Sequence, residues 1–194
     1  SLAYVASEPE IRCTIFDANP LAIRDSSQVS IFVDGSLIAF ADPNIRPQFR
    51  LLTAGDKRAE VVLYPHLSAG THTVAFRIDD AFGQRVEQAV EVKVATELEL
   101  VEVLNYPNPF ADETDFTFTL TQPAEDVQIK IFTVAGRLIR TLLAAHAAAG
   151  FNHIRWDGRD ADGDALANGV YLYKVIARHG DRQVEKISKL AIAR

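Results

Sequence analysis

A short pattern of small, aromatic and acidic residues occurs twice in this 194-residue chain, eighty positions apart. The two copies are Ala69-Gly70, Phe76, Asp80-Ala81 and Gly83, then Ala149-Gly150, Trp156, Asp160-Ala161 and Gly163. A fixed internal period indicates that one structural unit is repeated. Since the period is close to the size of an immunoglobulin-like sandwich, it favours two copies of one small all-β unit.

Apolar and polar residues alternate through much of the chain, for example over residues 29–33 and 116–120. Alternation with a period of two is typical of strands with one buried and one exposed side. Asp34-Gly35 is a strong signal for a two-residue hairpin turn. The sequence therefore predicts an all-β fold of two tandem immunoglobulin-like β-sandwich domains, residues 1–96 and 97–194, with about seven strands each.

Charge and hydropathy argue against two classes of partner. The net charge is −6, and no basic stripe is present that would follow a phosphate backbone. No apolar run approaches the roughly 18 to 20 residues needed to cross a bilayer. We therefore expect no nucleic-acid partner, no membrane insertion and a monomer. The absence of methionine suggests a piece of a longer protein.

The last predicted strand contains a conflict of phase. Ile187 lies on one alternation phase, whereas Val184, Leu190 and Ile192 lie on the other. A regular strand would expose one of the two sets. The pattern therefore predicts a bulge or irregularity near Ser188-Lys189.

An acidic cluster suggests one possible cofactor, calcium. Asp160, Asp162 and Asp164 have the alternate spacing of a calcium-binding loop. Ala165 stands where such a loop needs glycine, and Tyr171 stands where it needs a bidentate glutamate. A solvated turn between strands is the favoured interpretation, and calcium is the alternative.

The sequence does not predict catalysis. Its five histidines are scattered, and no cysteine or serine stands in a recognisable nucleophile context. His72 shares a strand phase with Val74, which favours a packed structural histidine. Cys13 lies between two isoleucines of one face, as a buried apolar residue would. We expect no enzymatic activity and no resident cofactor.

Four ordered blocks in the second half carry a family resemblance. They span residues 104–110, 129–138, 156–160 and 166–171. Together they resemble the C-terminal sorting domain of type IX secretion cargo, and the same signature is similar to the immunoglobulin-like domain of flagellar hook-capping proteins. The residues that the resemblance places in the sorting or structural motif are Pro107, Asn108, Pro109, Phe110, Gly136, Trp156, Asp157, Gly158, Gly169, Val170, Tyr171, Lys186, Lys189 and Leu190.

The resemblance implies a location, a set of partners and a signal. The parent protein would pass through the periplasm, cross the outer membrane of a Bacteroidetes-type bacterium and stay on the surface or leave the cell. Its partners would be the outer-membrane translocon and sorting machinery. The recognised signal would include the final strand near residues 186–193 and the Gly169-Val170-Tyr171 segment.

The first half is similar to the immunoglobulin-like module that precedes the sorting domain in gingipain-like cysteine peptidases and in the related sortase. The similarity is carried by Val33-Asp34-Gly35, residues 67–73 and residues 79–83. It implies an immunoglobulin-like spacer in a region without the parent's catalytic residues.

Physical roles can be given to the motif without the family. Pro107 and Pro109 favour extended backbone in the residues before them, so the segment should be a stiff lead-in with Phe110 as a plug. Trp156 should pack in the middle of the core. Asn168-Gly169 should supply the positive φ of a tight hairpin.

Two other functions stay open from the sequence. A carbohydrate-binding or adhesive sandwich would present a row of surface aromatics, for which Phe32, Phe40 and Phe82 are the candidates. A scaffold domain in flagellar hook assembly is the second alternative.

Overall fold

The alternating segments form strands throughout the computed structural model, which describes residues 3–16, 26–51, 58–79 and 83–194. These residues contain fifteen strands and one three-residue 3-10 turn, Ser26–Gln28. The predicted all-β class is confirmed. No helix in the described ranges has the length and apolar character of a membrane span. The chain divides into two compact units, Ser1–Val94 and Ala95–Arg194.

The described part of the N-terminal unit has eight strands in two sheets. They are β1 (Ala3–Tyr4), β2 (Ile11–Phe16), β3 (Val29–Val33), β4 (Ser36–Ile38), β5 (Gln48–Leu51), β6 (Arg58–Leu63), β7 (Gly70–Asp79) and β8 (Arg85–Val94). One sheet has the order β1-β8-β7-β3-β4 and the other β2-β6-β5. Only β1 runs parallel to its described neighbour, and side chains from both sheets fill the core.

The predicted hairpin at Asp34-Gly35 is confirmed. It joins β3 to β4 with φ angles of 51° at Asp34 and 77° at Gly35. Positive φ at both central residues is the requirement of the tight turn that matches strand twist. Ile31 on β3 consequently faces the core and is fully buried.

The C-terminal unit has seven strands, also in two sheets. They are β9 (Leu100–Tyr106), β10 (Thr114–Leu120), β11 (Asp126–Thr133), β12 (Leu138–Ala144), β13 (Gly150–Trp156), β14 (Gly169–His179) and β15 (Arg182–Ile192). The sheets have the orders β13-β10-β9 and β12-β11-β14-β15, and all the pairings within them are antiparallel.

Aromatic and branched side chains fill the space between these two sheets. Phe116 on β10 and Tyr173 on β14 are fully buried, with ring centroids 4.7 Å apart. Phe118, Ile129 and Ile131 complete the centre with no exposure above 1%. Burial of these side chains supplies most of the driving force that holds the two sheets together.

The prediction of a bulge near Ser188-Lys189 is wrong. β15 pairs with β14 without any shift of register from Arg182 to Ile192. The conflict of phase is resolved by exposure, because the side chain of Ile187 is 59% accessible on the outer face of the sheet. One exposed isoleucine is tolerable on a sheet face that meets solvent, whereas a bulge would break ladder hydrogen bonds.

The prediction that Asn168-Gly169 forms a tight hairpin is also wrong. Gly169 does have a positive φ of 156°, but it opens β14 and pairs with Ile192. The hairpin between β14 and β15 turns at Gly180, whose φ is 54°. Strands β13 and β14 lie in different sheets, so the Asn168 segment crosses between sheets rather than reversing within one.

The repeated sequence pattern does not mark equivalent strands. Gly70 opens β7, a central strand, whereas Gly150 opens β13, an edge strand of the other unit. Both glycines have positive φ, 140° and 92°, which explains why glycine recurs at a strand start. Asp80-Ala81 of the first copy lies outside the described residues.

Candidate functional site

The proline-rich lead-in binds the outer edge of the last strand. The side-chain oxygen Oδ1 of Asn108 accepts a hydrogen bond of 2.9 Å from the Ala191 backbone N–H. Its Nδ2 group donates to the Lys189 carbonyl oxygen at 3.3 Å. One amide side chain thus occupies the place that a neighbouring strand would take along β15. We call residues 107–110 together with 189–193 the clasp.

Phe110 adds backbone pairing to the clasp. Its N–H donates to the Ala191 carbonyl at 3.1 Å, and its carbonyl accepts from the Ala193 N–H at 2.9 Å, which makes a short parallel bridge. The ring is 2% exposed and meets Trp156 edge-on at 5.7 Å between centroids. The predicted roles of Phe110 as a plug and Trp156 as a core residue agree with this packing.

Two buried polar side chains bind the backbone of the lead-in at Pro107. The Pro107 carbonyl accepts from the Thr114 hydroxyl at 2.8 Å and from Asn105 Nδ2 at 3.3 Å. Asn105 also donates to the Thr114 hydroxyl oxygen at 3.2 Å. Both side chains are less than 10% exposed, so each satisfies the other in a dry site. The peptide bonds before Pro107 and Pro109 are cis.

Sequence reasoning missed Asn105 and Thr114. Asn105 stood inside the first motif block, where a polar residue on the inward phase of a strand was the available signal.

Gly158 is the closest packed glycine of this site. Its φ is 69°, and a Cβ added there would lie 3.1 Å from the Phe110 ring and 3.0 Å from a guanidinium nitrogen of Arg194. The neighbouring Trp156 donates its indole N–H to the Arg159 carbonyl at 2.9 Å. The Trp156–Gly158 turn therefore packs against the Phe110 ring and restricts the position of that ring.

A second asparagine binds the chain just beyond the clasp. Asn168 accepts from the Arg194 backbone N–H at 2.9 Å and donates to the Arg194 carbonyl at 3.2 Å. The Arg194 guanidinium also donates to the Leu166 carbonyl. Gly169 and Val170 pair with residues 192 and 191 of β15. The first, third and fourth motif blocks are thus brought together around the last strand.

The remaining motif residues have separate positions. Leu190 is 1% exposed in the core, whereas Lys186 and Lys189 are exposed. Gly136 lies in the turn between β11 and β12, with φ 86° and an N–H that donates to the Thr133 carbonyl. Asp157 is exposed and accepts from the Arg159 N–H at 3.2 Å. The Tyr171 hydroxyl donates to the Ala167 carbonyl at 2.8 Å.

The outer face of the β12-β11-β14-β15 sheet carries lysines beside exposed apolar side chains. Lys130 lies opposite Lys174 across the strand pair, and Ile187 lies opposite Lys174 on the other side. Lys189 follows on the same phase of β15. Lys174 has one carboxylate partner, Glu185, at 2.9 Å. We call Lys130, Lys174, Ile187 and Lys189 the lysine face.

The acidic cluster forms a self-contained turn. Asp160 Oδ1 accepts from the backbone N–H groups of Asp162 at 3.0 Å and Asp164 at 2.9 Å. Arg159 donates to the Gly163 carbonyl at 2.8 Å. Within the described ranges, no three acidic, histidine or cysteine side chains are grouped to hold a metal ion. The hydrogen bonds within the cluster support the solvated turn.

His72 is a structural histidine, as its strand phase predicted. Its Nδ1 lies 2.7 Å from Asp34 Oδ2, and its Nε2 lies 2.8 Å from the Ser68 carbonyl. The other Asp34 oxygen accepts from the Thr73 N–H at 2.9 Å. The Asp34 hydrogen bond, with that to Ser68, raises the pKa of His72, and His72 lowers the pKa of Asp34. A hydrogen-bonded histidine–aspartate pair therefore joins the β3–β4 turn to β7.

The candidates for an aromatic row do not form one in the described part of the chain. Phe32 lies under the Arg77 guanidinium, 4.6 Å from carbon to ring centroid. Phe40 packs against the core of the N-terminal unit. Phe82 lies outside the described residues.

Comparison with known proteins assigns part of the C-terminal unit. Residues 107–181 match the FlgD Ig-like domain. Two curated relatives, the basal-body rod modification proteins FlgD of Salmonella typhimurium and Salmonella typhi, are each 37% identical over 71 residues. That alignment covers 37% of this chain and 31% of either relative, so the chain spans about a third of their length.

Solved structures give likenesses of fold. Dimeric latent PorU from Porphyromonas gingivalis is 21% identical, with a TM-score of 0.45 over 99% of this chain and 19% of that one. PorZ, a type-IX secretion component of the same organism, is 21% identical, with a TM-score of 0.31 over 62% of this chain and 15% of that one. The resemblance to the flagellar Ig-like domain is confirmed, whereas likenesses at these identities do not bear on function.

Proposed function

We propose that residues 95–194 are a non-catalytic sorting module of a larger secreted or cell-surface protein, with the N-terminal unit as an immunoglobulin-like spacer. The observation that carries the proposal is the clasp. Three of the four sequence blocks meet around β15, although the lead-in and the last strand are 83 residues apart at their Asn108 contact. So many separate contacts to one edge strand are expected where a partner protein binds that strand.

The free part of the β15 edge offers the means of recognition. β15 is the last strand of its sheet, and the clasp covers only residues 189–193 of its outer edge. Over residues 183–188 no other described backbone segment hydrogen-bonds to that edge, although β9 of the facing sheet packs alongside β15. Backbone groups without a ladder partner can pair with a strand from a partner protein, and neighbouring side chains then give specificity.

The lysine face would supply that specificity. Lys189 lies on β15 itself, whereas Lys174 and Lys130 lie on the next two strands of the same face, beside the exposed Ile187. A partner strand flanked by acidic and apolar side chains would complement it. We propose the outer-membrane translocon and sorting machinery of type IX secretion as that partner, and the cell surface or the exterior as the destination.

Export of a reporter tests the proposal. The full 194-residue chain is fused behind a reporter with a periplasmic signal in a host with type IX secretion. Removal of residues 185–194 should abolish export because the signal strand and clasp are lost. Export that survives this deletion would refute the sorting function.

A matched variant separates recognition from folding. Replacement of Lys130, Lys174 and Lys189 by glutamine changes one exposed and two half-buried side chains on the outer face of the sheet, and it should lower the melting temperature of the chain only slightly, since the Lys174–Glu185 pair contributes little. The same replacement should reduce export. A control with Arg137→Gln and Arg155→Gln, two exposed cations outside the lysine face, should be exported like the original chain.

The match of residues 107–181 to the FlgD Ig-like domain favours one second candidate, a scaffold domain in flagellar hook assembly. That function requires binding to hook subunits. Pull-down of the chain with purified hook protein, together with unaffected export in the deletion above, would favour the scaffold over the sorting module.

A further inference from the structure

The outer face of the β2-β6-β5 sheet in the N-terminal unit contains a polar depression. It is open to solvent and has a volume of about 170 Å³. Its lining residues are Arg12, Gln48, Arg50, Glu60, Val62 and Tyr64. The spacer role proposed above makes no use of this surface.

A nearly buried carboxylate forms the floor of the depression. Glu60 lies on β6, the central strand, and its side chain is only 9% exposed. Arg12 on β2 donates to one of its oxygens at 2.6 Å, and Arg50 on β5 donates to the other at 3.3 Å. The two arginines come from opposite flanking strands, so they form the side walls above Glu60.

The hydrogen-bonding capacity of these groups is only partly used. Arg12 has a second carboxylate partner, Glu10, at 2.6 Å. Arg50 is 71% exposed, and Glu60 is its one partner in the described part of the chain, which leaves several of its five N–H donors to solvent. A carboxylate can accept about four hydrogen bonds, so Glu60 also has acceptor capacity left.

Among the described side chains that line the depression or contact its lining, guanidinium groups outnumber carboxylates. The Arg46 guanidinium lies over the Tyr64 ring, 5.5 Å from its centroid, and the Tyr64 hydroxyl donates to Glu10 at 3.1 Å. Together with the arginines of the walls, three guanidinium groups face two carboxylates. These five groups carry a formal charge of +1 in a chain whose net charge is −6.

We propose that this depression binds a uronic-acid unit of an acidic oligosaccharide. The uronate carboxylate would take the unused fork of Arg50, a bidentate geometry that guanidinium favours. Sugar hydroxyls both donate and accept, so they can donate to Glu60 and accept from Gln48 and Arg12. The Tyr64 ring gives the C–H face of the sugar an apolar surface beside the largely buried Val62.

The combination of donor and acceptor groups selects this class of ligand. A small inorganic anion would lie against the Glu60 carboxylate and be repelled by it. A neutral sugar would leave the Arg50 fork and the excess positive charge without a partner. A uronic acid satisfies both, and the open ends of the depression allow a polymer to continue beyond the bound unit.

Titration calorimetry with defined oligosaccharides tests the proposal on the full chain at fixed ionic strength. Tri-galacturonate should bind saturably, and its methyl ester should bind about tenfold more weakly or worse, because one charge-assisted pair is lost. Absence of binding, or equal binding of the ester, overturns the proposal.

Variants identify the groups involved. Arg50→Gln should weaken tri-galacturonate binding about tenfold, whereas Arg77→Gln, which removes a comparable arginine–glutamate pair at 2.9 Å from the other sheet, should leave it unchanged. Glu60→Gln should also weaken binding, because hydroxyl groups lose their carboxylate acceptor. Tighter binding by a folded Glu60→Gln chain would indicate simple anion capture and refute the saccharide site. Thermal melting verifies that each variant is folded.

Discussion

Replacement of Asn108 by alanine should weaken the attachment of the lead-in to the last strand without creating a cavity in the core. The Asn108 side chain makes two hydrogen bonds to β15, one from the Ala191 N–H and one to the Lys189 carbonyl. Each such bond contributes about 0.5 to 1.5 kcal/mol net, so Asn108→Ala should cost about 1 to 3 kcal/mol. For a unit of this size, that corresponds to a fall in melting temperature of about 4 to 24 °C.

Hydrogen exchange gives the more specific assay. Among the described residues, Asn108 Oδ1 is the acceptor of the Ala191 N–H, so the protection of this amide should fall sharply in Asn108→Ala. Asn108→Asp keeps the acceptor and loses the donor. The Ala191 amide should therefore stay protected in that variant, although some stability is lost with the bond to Lys189.

A matched asparagine provides the control. Asn152 likewise makes two hydrogen bonds from its side chain to the backbone, both donated by Nδ2 to carbonyls at 2.8 and 3.0 Å, but it lies on β13. Asn152→Ala should leave exchange at Ala191 unchanged. If Ala191 exchanges at the same rate in Asn108→Ala as in the original chain, the clasp does not hold the last strand and the reasoning is wrong.

Three further outcomes follow from other parts of the chain. As pH rises above about 6.5, the N-terminal unit should lose stability, because the raised pKa of His72 stabilises the folded state fully below the unfolded value of about 6.5 and that contribution is lost as pH rises through the folded pKa. Chemical denaturation of His72→Gln should show a flatter profile, and an equal loss in that variant would count against the Asp34 pair. Gly158→Ala should destabilise its unit by about 1 to 3 kcal/mol, measured by denaturant midpoint, because its φ is left-handed and its Cβ would press on Phe110. Calcium at about 5 mM, above the weakest protein sites, should leave the melting temperature unchanged, since Asp160 already accepts from backbone amides; a clear rise would restore the metal site.

Local patterns predicted those features that depend on neighbouring residues alone. The Asp34-Gly35 turn and the strands around it were predictable, because both turn residues must adopt positive φ and because alternation sets the buried face. The burial of Phe110 and Trp156 was predictable from their size and apolar character. These inferences needed no knowledge of which strands pair.

The features that the sequence did not predict depend on which distant strands lie next to one another. Ile187 is exposed because an open sheet face tolerates it, and no local pattern distinguishes that outcome from a bulge. Asn168 binds residue 194 instead of turning a hairpin, because the chain changes sheets at that point. The polar depression also depends on residues from three strands whose order only the fold provides.

Protein synthesis imposes an order on the clasp. Asn108 leaves the ribosome 83 residues before Ala191, its partner. At translation rates of about 5 to 20 residues per second, that delay is about 4 to 17 seconds. During this interval the Phe110 plug has neither its bridge to the last strand nor its full cover, so the nascent unit cannot close until the final stretch has been made.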